Sequence, residues 1–217
     1  MQQPWRLGSG GESLVRFKSL LSQPELLRLQ RLLTSPRVEQ ALSPSTLFDN
    51  LSQSNRKCRV AWLERAATAA DGDPVAPEWL HRALRRAALH CWELFGDCLC
   101  PVGADTEGRW TPAYEPVQYS VYMQGEHYAG WHTDSEEPEV DPSDARSISI
   151  VLMVSDSASY AGGNFQAQVR GKRSRARPCG THSAEVPLKA GDAVGFPAKY
   201  LQHRVSQVDS CIMHVLN

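Results

Sequence analysis

Two segments in the first hundred residues have the hydrophobic spacing of amphipathic helices. The first, SQPELLRLQRLLT at residues 22–34, begins with the serine, proline and glutamate of a capped first turn. The second covers residues 77–95 and is followed by Gly96, a residue type that commonly ends a helix. The pattern therefore predicts two long helices in this part of the chain.

Beyond residue 110 the pattern changes to short runs of β-type residues separated by turn residues. The runs are PVQYSVYM, SISIVLMV, NFQAQV, GDAVGFP, HRVSQV and CIMHVL. Their lengths are typical of an antiparallel sandwich or barrel and not of alternating strand–helix units. We predict an α+β fold in which residues 1–110 form a helical support region for a barrel of residues 111–217. Residues 34–57 and 66–76, rich in Ser, Pro, Asn and Asp, are interpreted as connections.

Composition excludes a partner chosen by overall charge. The 217 residues carry 23 basic and 24 acidic side chains, for a net charge of −1, so no overall field attracts nucleic acid or an anionic membrane. The N-terminal stretch lacks the pattern of a signal peptide, and no window is apolar over the length of a membrane span. We therefore expect a cytoplasmic protein whose six cysteines are reduced and form no zinc-finger site.

Two charged loops flank the predicted barrel strands. Residues 135–144 hold five acids, and residues 170–177 hold five bases. Runs of this kind usually form solvated turns, and recognition of a substrate is the alternative for both loops.

The stretch YAGWHTD contains the strongest candidates for chemistry, His132 and Asp134. Residues two apart on a strand project from the same face, so this pair can offer a nitrogen and a carboxylate oxygen to one ion. His203, which follows a predicted turn and buried strand, is the candidate third ligand. Two histidines and one carboxylate are typical of non-haem Fe(II) oxygenases, but zinc accepts the same donors. Ligand types alone do not separate the two metals.

Three blocks around these residues resemble the prolyl 4-hydroxylase-like Fe(II)/2-oxoglutarate dioxygenases, in particular their bacterial-type hydroxylases. The blocks are YMQGEHYAGWHTD, RSISIVLMVSDSASYAGGNFQ and KAGDAVGFPAKYLQHRVSQV. They follow the family's order over about residues 112–213. The resemblance implies a double-stranded β-helix, a jelly-roll-like barrel, with the N-terminal helices packed on one sheet.

The resemblance also implies a reaction. Fe(II) would be held by His132, Asp134 and His203, with 2-oxoglutarate and O2 as cosubstrates and ascorbate (vitamin C) in support. The implied product is a hydroxylated C–H position of a protein side chain, prolyl-like, or of a small molecule, with succinate and CO2 as coproducts. For Tyr122 two roles stay open, as barrel core or as a hydrogen-bond donor to the distal carboxylate of 2-oxoglutarate. Trp131 is likewise open between core and substrate contact.

One position departs from the family's pattern. Relatives carry an arginine or lysine ten residues after the distal histidine, where it pairs with the distal carboxylate of the cosubstrate, and this chain has Met213 there. A thioether cannot pair with a carboxylate, and an unpaired anion inside a narrow barrel is costly.

Three explanations of Met213 stay open. Another basic group could replace the missing one, and the candidates are Arg204, His214 and Arg146. The chain could instead be a degenerate homologue that keeps iron but binds 2-oxoglutarate poorly. Finally, it could be truncated at the C-terminus, which the early end at MHVLN favours.

Two other functions compete with the hydroxylase. An AlkB-like nucleic-acid demethylase would use the same iron chemistry, with the basic loop on phosphates. The chain lacks the paired arginines that AlkB relatives carry after the distal histidine, so we expect neither nucleic acid nor a membrane as partner. A non-catalytic iron-binding module is the alternative outside enzymes.

Overall fold

The computed structural model describes residues 5–9, 12–45, 55–96, 114–135, 146–170 and 181–217 of the protein. These residues form three helices and fifteen strands. The helices are α1 (Gln23–Leu33), α2 (Pro36–Ala41) and α3 (Glu78–Phe95). The strands are β1 (Trp5–Ser9), β2 (Glu12–Phe17), β3 (Ser43–Pro44), β4 (Arg56–Lys57), β5 (Arg59–Leu63), β6 (Val117–Tyr122), β7 (His127–His132), β8 (Ile148–Met153), β9 (Ala161–Gly162), β10 (Phe165–Arg170), β11 (Thr181–Glu185), β12 (Ala193–Pro197), β13 (His203–Val205), β14 (Val208–Ser210) and β15 (Met213–Leu216).

Both predicted long helices are present as α1 and α3. Before α1, the backbone N–H and the hydroxyl of Ser22 donate to the carboxylate of Glu25 at 2.8 and 2.6 Å, which satisfies polar groups at the helix start. Three leucines of α1 and the alanine-rich face of α3 are buried. The helices form because burying one apolar face against the barrel stabilises them.

Two sheets face each other across an apolar interior. The larger sheet has the order β1-β2-β12-β8-β15-β6-β5-β3, and the smaller one has the order β11-β10-β13-β7-β4. Strands β9 and β14 form a separate antiparallel pair. Consecutive strands such as β7 and β8 lie in different sheets, so the chain crosses from sheet to sheet as in a double-stranded β-helix. This architecture confirms the predicted α+β class with a jelly-roll-like barrel.

The apolar residues divide between two cores. One lies between the helices and the outer face of the larger sheet, and the other lies between the two sheets. β15 shows the division, since Met213 and Val215 enter the inner core while Leu216 enters the helix-side core. Alternate residues of one strand therefore serve both layers.

The N-terminal part contributes strands that the sequence pattern did not predict. β2 pairs with β12, and β5 pairs with β6 over five residue pairs. The interpretation of residues 34–57 as connection only is wrong over α2, where Pro36 starts a short helix that buries Val38. One turn of helix carries too few apolar residues to give a periodic signal.

Strands from both predicted regions thus lie in one sheet, and the division at residue 110 stays a prediction. Residues 136–144 and 171–177, which make up most of the two charged loops, lie outside the described residues. Cys98, Cys100 and Cys179 also lie outside them. Among the described residues, Cys58 and Cys91 are buried free thiols and Cys211 is an exposed one. In the part of the chain described, no helix is long and apolar enough to cross a membrane.

Candidate metal centre

The three predicted metal ligands meet where the neighbouring strands β7 and β13 of the smaller sheet end and begin. His132 is the last residue of β7, and it pairs directly with His203, the first residue of β13. Asp134 lies in the turn after β7, where its backbone N–H donates to the carbonyl of Ala198 at 3.0 Å. One potential ligand atom from each of the three lies within 4.8 Å of the others.

The imidazole nitrogens of both histidines face one carboxylate oxygen. Nε2 of His132 lies 3.7 Å and Nε2 of His203 lies 3.5 Å from Oδ1 of Asp134. The side chains of all three residues are at most 18% exposed. Their potential ligand atoms are thus close enough together to contact one small cation.

Backbone carbonyls orient the two imidazole rings. Nδ1 of His132 lies 3.0 Å from the carbonyl oxygen of Gly130, and Nδ1 of His203 lies 3.2 Å from that of Leu201. A neutral imidazole that donates from Nδ1 has its lone pair on Nε2. Both lone pairs therefore point toward Asp134, as in metal sites where a second partner holds the ligand ring.

Burial and neighbouring charges set the protonation of the group. Burial, together with the nearby His203, lowers the pKa of His132 to about 4, so this imidazole is neutral around pH 7. Burial alone would raise the pKa of Asp134, but its electrostatic interactions with His203 and Arg146 outweigh burial and hold that pKa below its ordinary value. A neutral imidazole and an ionised carboxylate are the forms that bind a metal.

Arg146 holds the second oxygen of the aspartate. Its Nη1 lies 3.9 Å from Oδ2 of Asp134, and its Nε donates to Glu115 at 2.9 Å. Oδ1 therefore stays directed at the two histidines, which suits binding through one carboxylate oxygen.

Aromatic rings enclose the two histidines. Tyr128 stacks on His132 with 3.7 Å between ring centroids, and Phe165 and Phe196 contact the ring of His203. A bulge between β7 and β13 accompanies this stack. His203 pairs with His132 and Val205 pairs with Tyr128, so a four-residue step on β7 faces a two-residue step on β13. The rings restrict water around the group on these sides.

Tyr122 and Met213 lie side by side on the inner faces of β6 and β15. They are direct pairing partners, they are 2% and 1% exposed, and both belong to the inner core. Burial raises the pKa of Tyr122, so its hydroxyl stays protonated. The sulfur of Met213 packs against Gly163, where an added Cβ would lie 2.7 Å from Sδ. The position where relatives carry the cosubstrate's cation therefore faces the barrel interior.

Arg204, the first candidate to replace that cation, is held elsewhere. Its guanidinium lies 4.5 Å from the centre of the Trp131 ring, and its Nε donates to Gln166 at 2.8 Å. Trp131 directly precedes His132 on β7, and Arg204 directly follows His203 on β13. Neighbouring residues of a strand project from opposite faces, so Trp131 and Arg204 lie on the outer face of the sheet. This geometry removes Trp131 from the inner pocket as well.

The other two candidates are also engaged. His214 lies on the helix side of β15, where the Tyr119 hydroxyl contacts its Nδ1 at 2.5 Å. Arg146 pairs with Glu115 and Asp134. None of the three groups considered from the sequence is free to serve the Met213 position.

Three further polar residues line the same inner surface and were missed by the sequence analysis. Arg56 on β4 is half-buried, and its Nη2 donates to Gln118 at 3.1 Å. Ser120 shares its face of β6 with Tyr122, and its buried hydroxyl has no partner among the described residues. The available signal was the alternation of Arg56, Cys58 and Val60, but a two-residue strand gives too short a period to recognise.

These residues fit the metal and cosubstrate that the resemblance implies. Two imidazoles and one carboxylate with open positions suit Fe(II), and the donor set alone would also suit zinc. A buried hydroxyl without a partner is costly unless a ligand or water satisfies it, and Ser120 meets that description on the inner face. The inner surface of the barrel thus has metal donors at the ends of β7 and β13 and a buried hydroxyl without a described partner on β6.

Comparisons with known proteins also indicate a relation to 2OG-Fe(II) oxygenases. Residues 117–214 match the family model of the 2OG-Fe(II) oxygenase superfamily. No curated protein sequence matches the chain significantly.

Solved structures share the fold at low identity. A Pseudomonas putida prolyl-4-hydroxylase has a TM-score of 0.61 at 16% identity, covering 96% of this chain and 90% of that one. A Trichoplax adhaerens prolyl hydroxylase, solved with a hypoxia inducible factor peptide fragment, has a TM-score of 0.63 at 10% identity, covering 94% and 80%. OsALKBH1 has a TM-score of 0.54 at 14% identity, covering 99% and 98%.

The family match spans the strands that carry His132, Asp134 and His203, and the fold around them is that of solved prolyl hydroxylases. Residues 117–214, a little under half of the chain, thus match the 2OG-Fe(II) oxygenase superfamily.

Proposed function

We propose that the protein is an Fe(II)- and 2-oxoglutarate-dependent dioxygenase that hydroxylates a C–H bond of a protein side chain, prolyl-like, or of a small molecule. The observation that carries the proposal is the convergence of His132, Asp134 and His203, with both Nε2 atoms directed at one carboxylate oxygen. The match of residues 117–214 to the superfamily's model supports iron over zinc as the metal.

In this proposal the three ligands hold Fe(II) on one side and leave its other positions to cosubstrates. Bound Fe(II) would activate O2 as 2-oxoglutarate is oxidatively decarboxylated, giving succinate, CO2 and a hydroxylated product. Tyr128, Phe165 and Phe196 would limit the access of water to the metal-facing rings. Tyr122, with its protonated hydroxyl, would donate a hydrogen bond to the cosubstrate.

Turnover in the absence of a substrate tests the proposal. Purified protein with Fe(II), 2-oxoglutarate and ascorbate is expected to form succinate slowly, because these oxygenases can decarboxylate the cosubstrate without hydroxylating anything. His132→Ala is expected to lower both iron content and succinate to background, since two of three ligands hold Fe(II) poorly. Metal analysis and succinate assay measure the two effects.

A control variant separates loss of the site from loss of the fold. His90→Ala removes a half-exposed histidine of α3 that pairs with the exposed Glu93 and contacts the edge of Phe17, and neither residue is a metal-ligand candidate. Iron and succinate should therefore stay at wild-type values. Wild-type protein that binds iron but forms no more succinate than His132→Ala would favour the non-catalytic binding module.

A second enzyme class is favoured by one observation, the structural similarity to OsALKBH1. An AlkB-like demethylase would bind nucleic acid through its phosphates, and the binding would weaken steeply with salt. Titration of labelled single- and double-stranded oligonucleotides at two salt concentrations distinguishes the classes. Absence of salt-dependent binding would remove the demethylase alternative.

A further inference from the structure

Arg56 is a cation on the inner side of the barrel that has no acidic partner among the residues that the structure describes. Its Nε donates to the sulfur of Cys58 at 3.3 Å, and its Nη2 donates to Gln118 at 3.1 Å. The remaining N–H groups have no partner among the described residues, and no described carboxylate pairs with it. A half-buried guanidinium cannot lose its proton, so its charge needs an anion.

Arg56 lies between the metal-ligand candidates and the cosubstrate position. Its guanidinium carbon is 5.0 Å from the centre of the Tyr128 ring, and that same ring stacks on His132. On its other side, Cys58 contacts both Arg56 and the hydroxyl of Tyr122. One aromatic ring thus separates Arg56 from a metal-ligand candidate, and one thiol separates it from Tyr122, the direct neighbour of Met213.

Nearby described cations of the barrel and of β2 are already neutralised or face outward. Arg16 pairs with Asp192 at 2.7 Å, and Arg146 pairs with Glu115 and Asp134. Arg204 stacks on the outer face of the smaller sheet. Arg56 combines an inward position, a positive charge and unused donors.

Further polar groups lie beside Arg56 on the inner face of β6. Gln118, Ser120 and Tyr122 alternate along one face of β6, and the Ser120 hydroxyl is buried without a described partner. A guanidinium, a hydroxyl and a phenol match the acceptor oxygens of a carboxylate.

We propose that Arg56 pairs with the distal carboxylate of 2-oxoglutarate and so replaces the cation missing at Met213. The inference rests on the proposed function, because it assumes that a 2-oxo acid binds the iron. The cation comes from β4, before the barrel strands of the family match, and not from the strand after the distal histidine. Met213 then fills space beside Gly163 and carries no charge.

Two 2-oxo acids that differ only at the far end test this pairing. 2-Oxoglutarate and 2-oxopentanoate share the metal-binding head, but 2-oxopentanoate has a methyl group in place of the distal carboxylate. Each is titrated anaerobically into the Fe(II)-loaded protein, and the visible charge-transfer band of the chelate gives its Kd. Wild type is expected to bind 2-oxoglutarate about 10- to 100-fold more tightly, as a charge-assisted bidentate pair provides.

Arg56→Met should remove this preference. The Kd for 2-oxoglutarate is expected to rise about 10- to 100-fold, while that for 2-oxopentanoate and the iron content stay unchanged. Arg56→Lys keeps the charge without the planar fork and should lie between the two. Arg59→Met is the matched control, because Arg59 projects to the opposite face, toward Met123. In the double variant Arg56→Met/Met213→Arg, a cation at the family's usual position should restore part of the affinity.

The outcomes separate the inference from the function. If Arg56→Met weakens both 2-oxo acids equally, or leaves 2-oxoglutarate unaffected, Arg56 does not pair with the distal carboxylate, and the oxygenase function stands. If wild type binds both acids with equal affinity, no cation pairs with the distal carboxylate. In that case the inference about Arg56 fails and the oxygenase function again stands. If wild type binds iron but neither acid, the proposed function itself fails.

Discussion

Gly162 lies where two backbones meet without room for a side chain. Its φ is +74°, and an added Cβ would lie 2.2 Å from the carbonyl oxygen of Gln207 and 2.8 Å from the N–H nitrogen of Asp209. Neighbouring backbone atoms cannot move aside as a flexible side chain does. This glycine therefore brings β9 and β14 together on the side of the barrel next to Met213.

Substitution of Gly162 should consequently be costly. Gly162→Ala is expected to lower the free energy of unfolding by about 3 kcal/mol, from left-handed strain and the clash together. Gly125→Ala, at φ +82° with nothing within 4 Å, should lose only about 1 kcal/mol. Urea denaturation of both variants measures the difference, and equal losses would contradict the steric argument.

At single residues, the sequence predicted what short-range spacing encodes. His132 and Asp134 are two apart in the chain, and their predicted proximity is confirmed although Asp134 lies in the turn after β7 and not on the strand itself. His203 followed from its place after a buried strand. Arg56 could not be predicted in this way. Its position depends on β4 pairing with β7 more than seventy residues later in the chain, which no local pattern records.

The two faces of β15 pack against different parts of the molecule. Met213 and Val215 face the barrel interior, while His214 packs on the helix side against Tyr119. The run CIMHVL predicted the strand, but its alternation did not show that the half-buried His214 would pack against Tyr119 on the helix side. Burial lowers the pKa of His214, with a further contribution from the positive charge of Arg59.

The sign of the resulting pH dependence follows from that shift. The unfolded chain binds a proton at His214 near the ordinary pKa of 6.5, whereas the folded protein resists it. The stability that neutral His214 provides is therefore present above pH 6.5 and is lost as the pH falls below it. For one such group the slope reaches at most about 1.4 kcal/mol per pH unit.

His214→Asn tests this dependence while keeping an acceptor for the Tyr119 hydroxyl. Between about pH 7.5 and about pH 5.5, wild type should lose more unfolding free energy than the variant, since other histidines contribute equally to both. Urea midpoints at the two pH values give the comparison. Parallel losses in the two proteins would show that His214 titrates alike in the folded and unfolded states.

At the scale of the whole molecule, Asp192 connects the N-terminal segment around β2 to the barrel. Its carboxylate accepts from the guanidinium of Arg16 at 2.7 Å, the backbone N–H of Ser19 at 2.9 Å and that of Lys189 at 3.1 Å, and it is only 4% exposed. Together with the pairing of β2 to β12, this joins the two predicted regions. The sequence pattern predicted the helices and barrel strands but not this connection, because it depends on contacts more than 170 residues apart.

Removal of Asp192 should destabilise both regions together. Asp192→Ala leaves Arg16 without its partner and is expected to lower the free energy of unfolding by about 3 kcal/mol. Asp73→Ala removes a single exposed acceptor and should cost less than about 1 kcal/mol. Tryptophan fluorescence and far-UV circular dichroism should report one common transition, and separate midpoints would support two independent units divided near residue 110.

The paired carbonyl contacts of His132 and His203 have a consequence for how a metal enters. Each ring is held by the carbonyl two residues before it, within its own strand or the approach to it. The rotamers are thus selected by the backbone before any ion arrives, and binding has little side-chain entropy left to remove. Removal of iron by a chelator should accordingly leave both rings in place, ready for reloading without refolding.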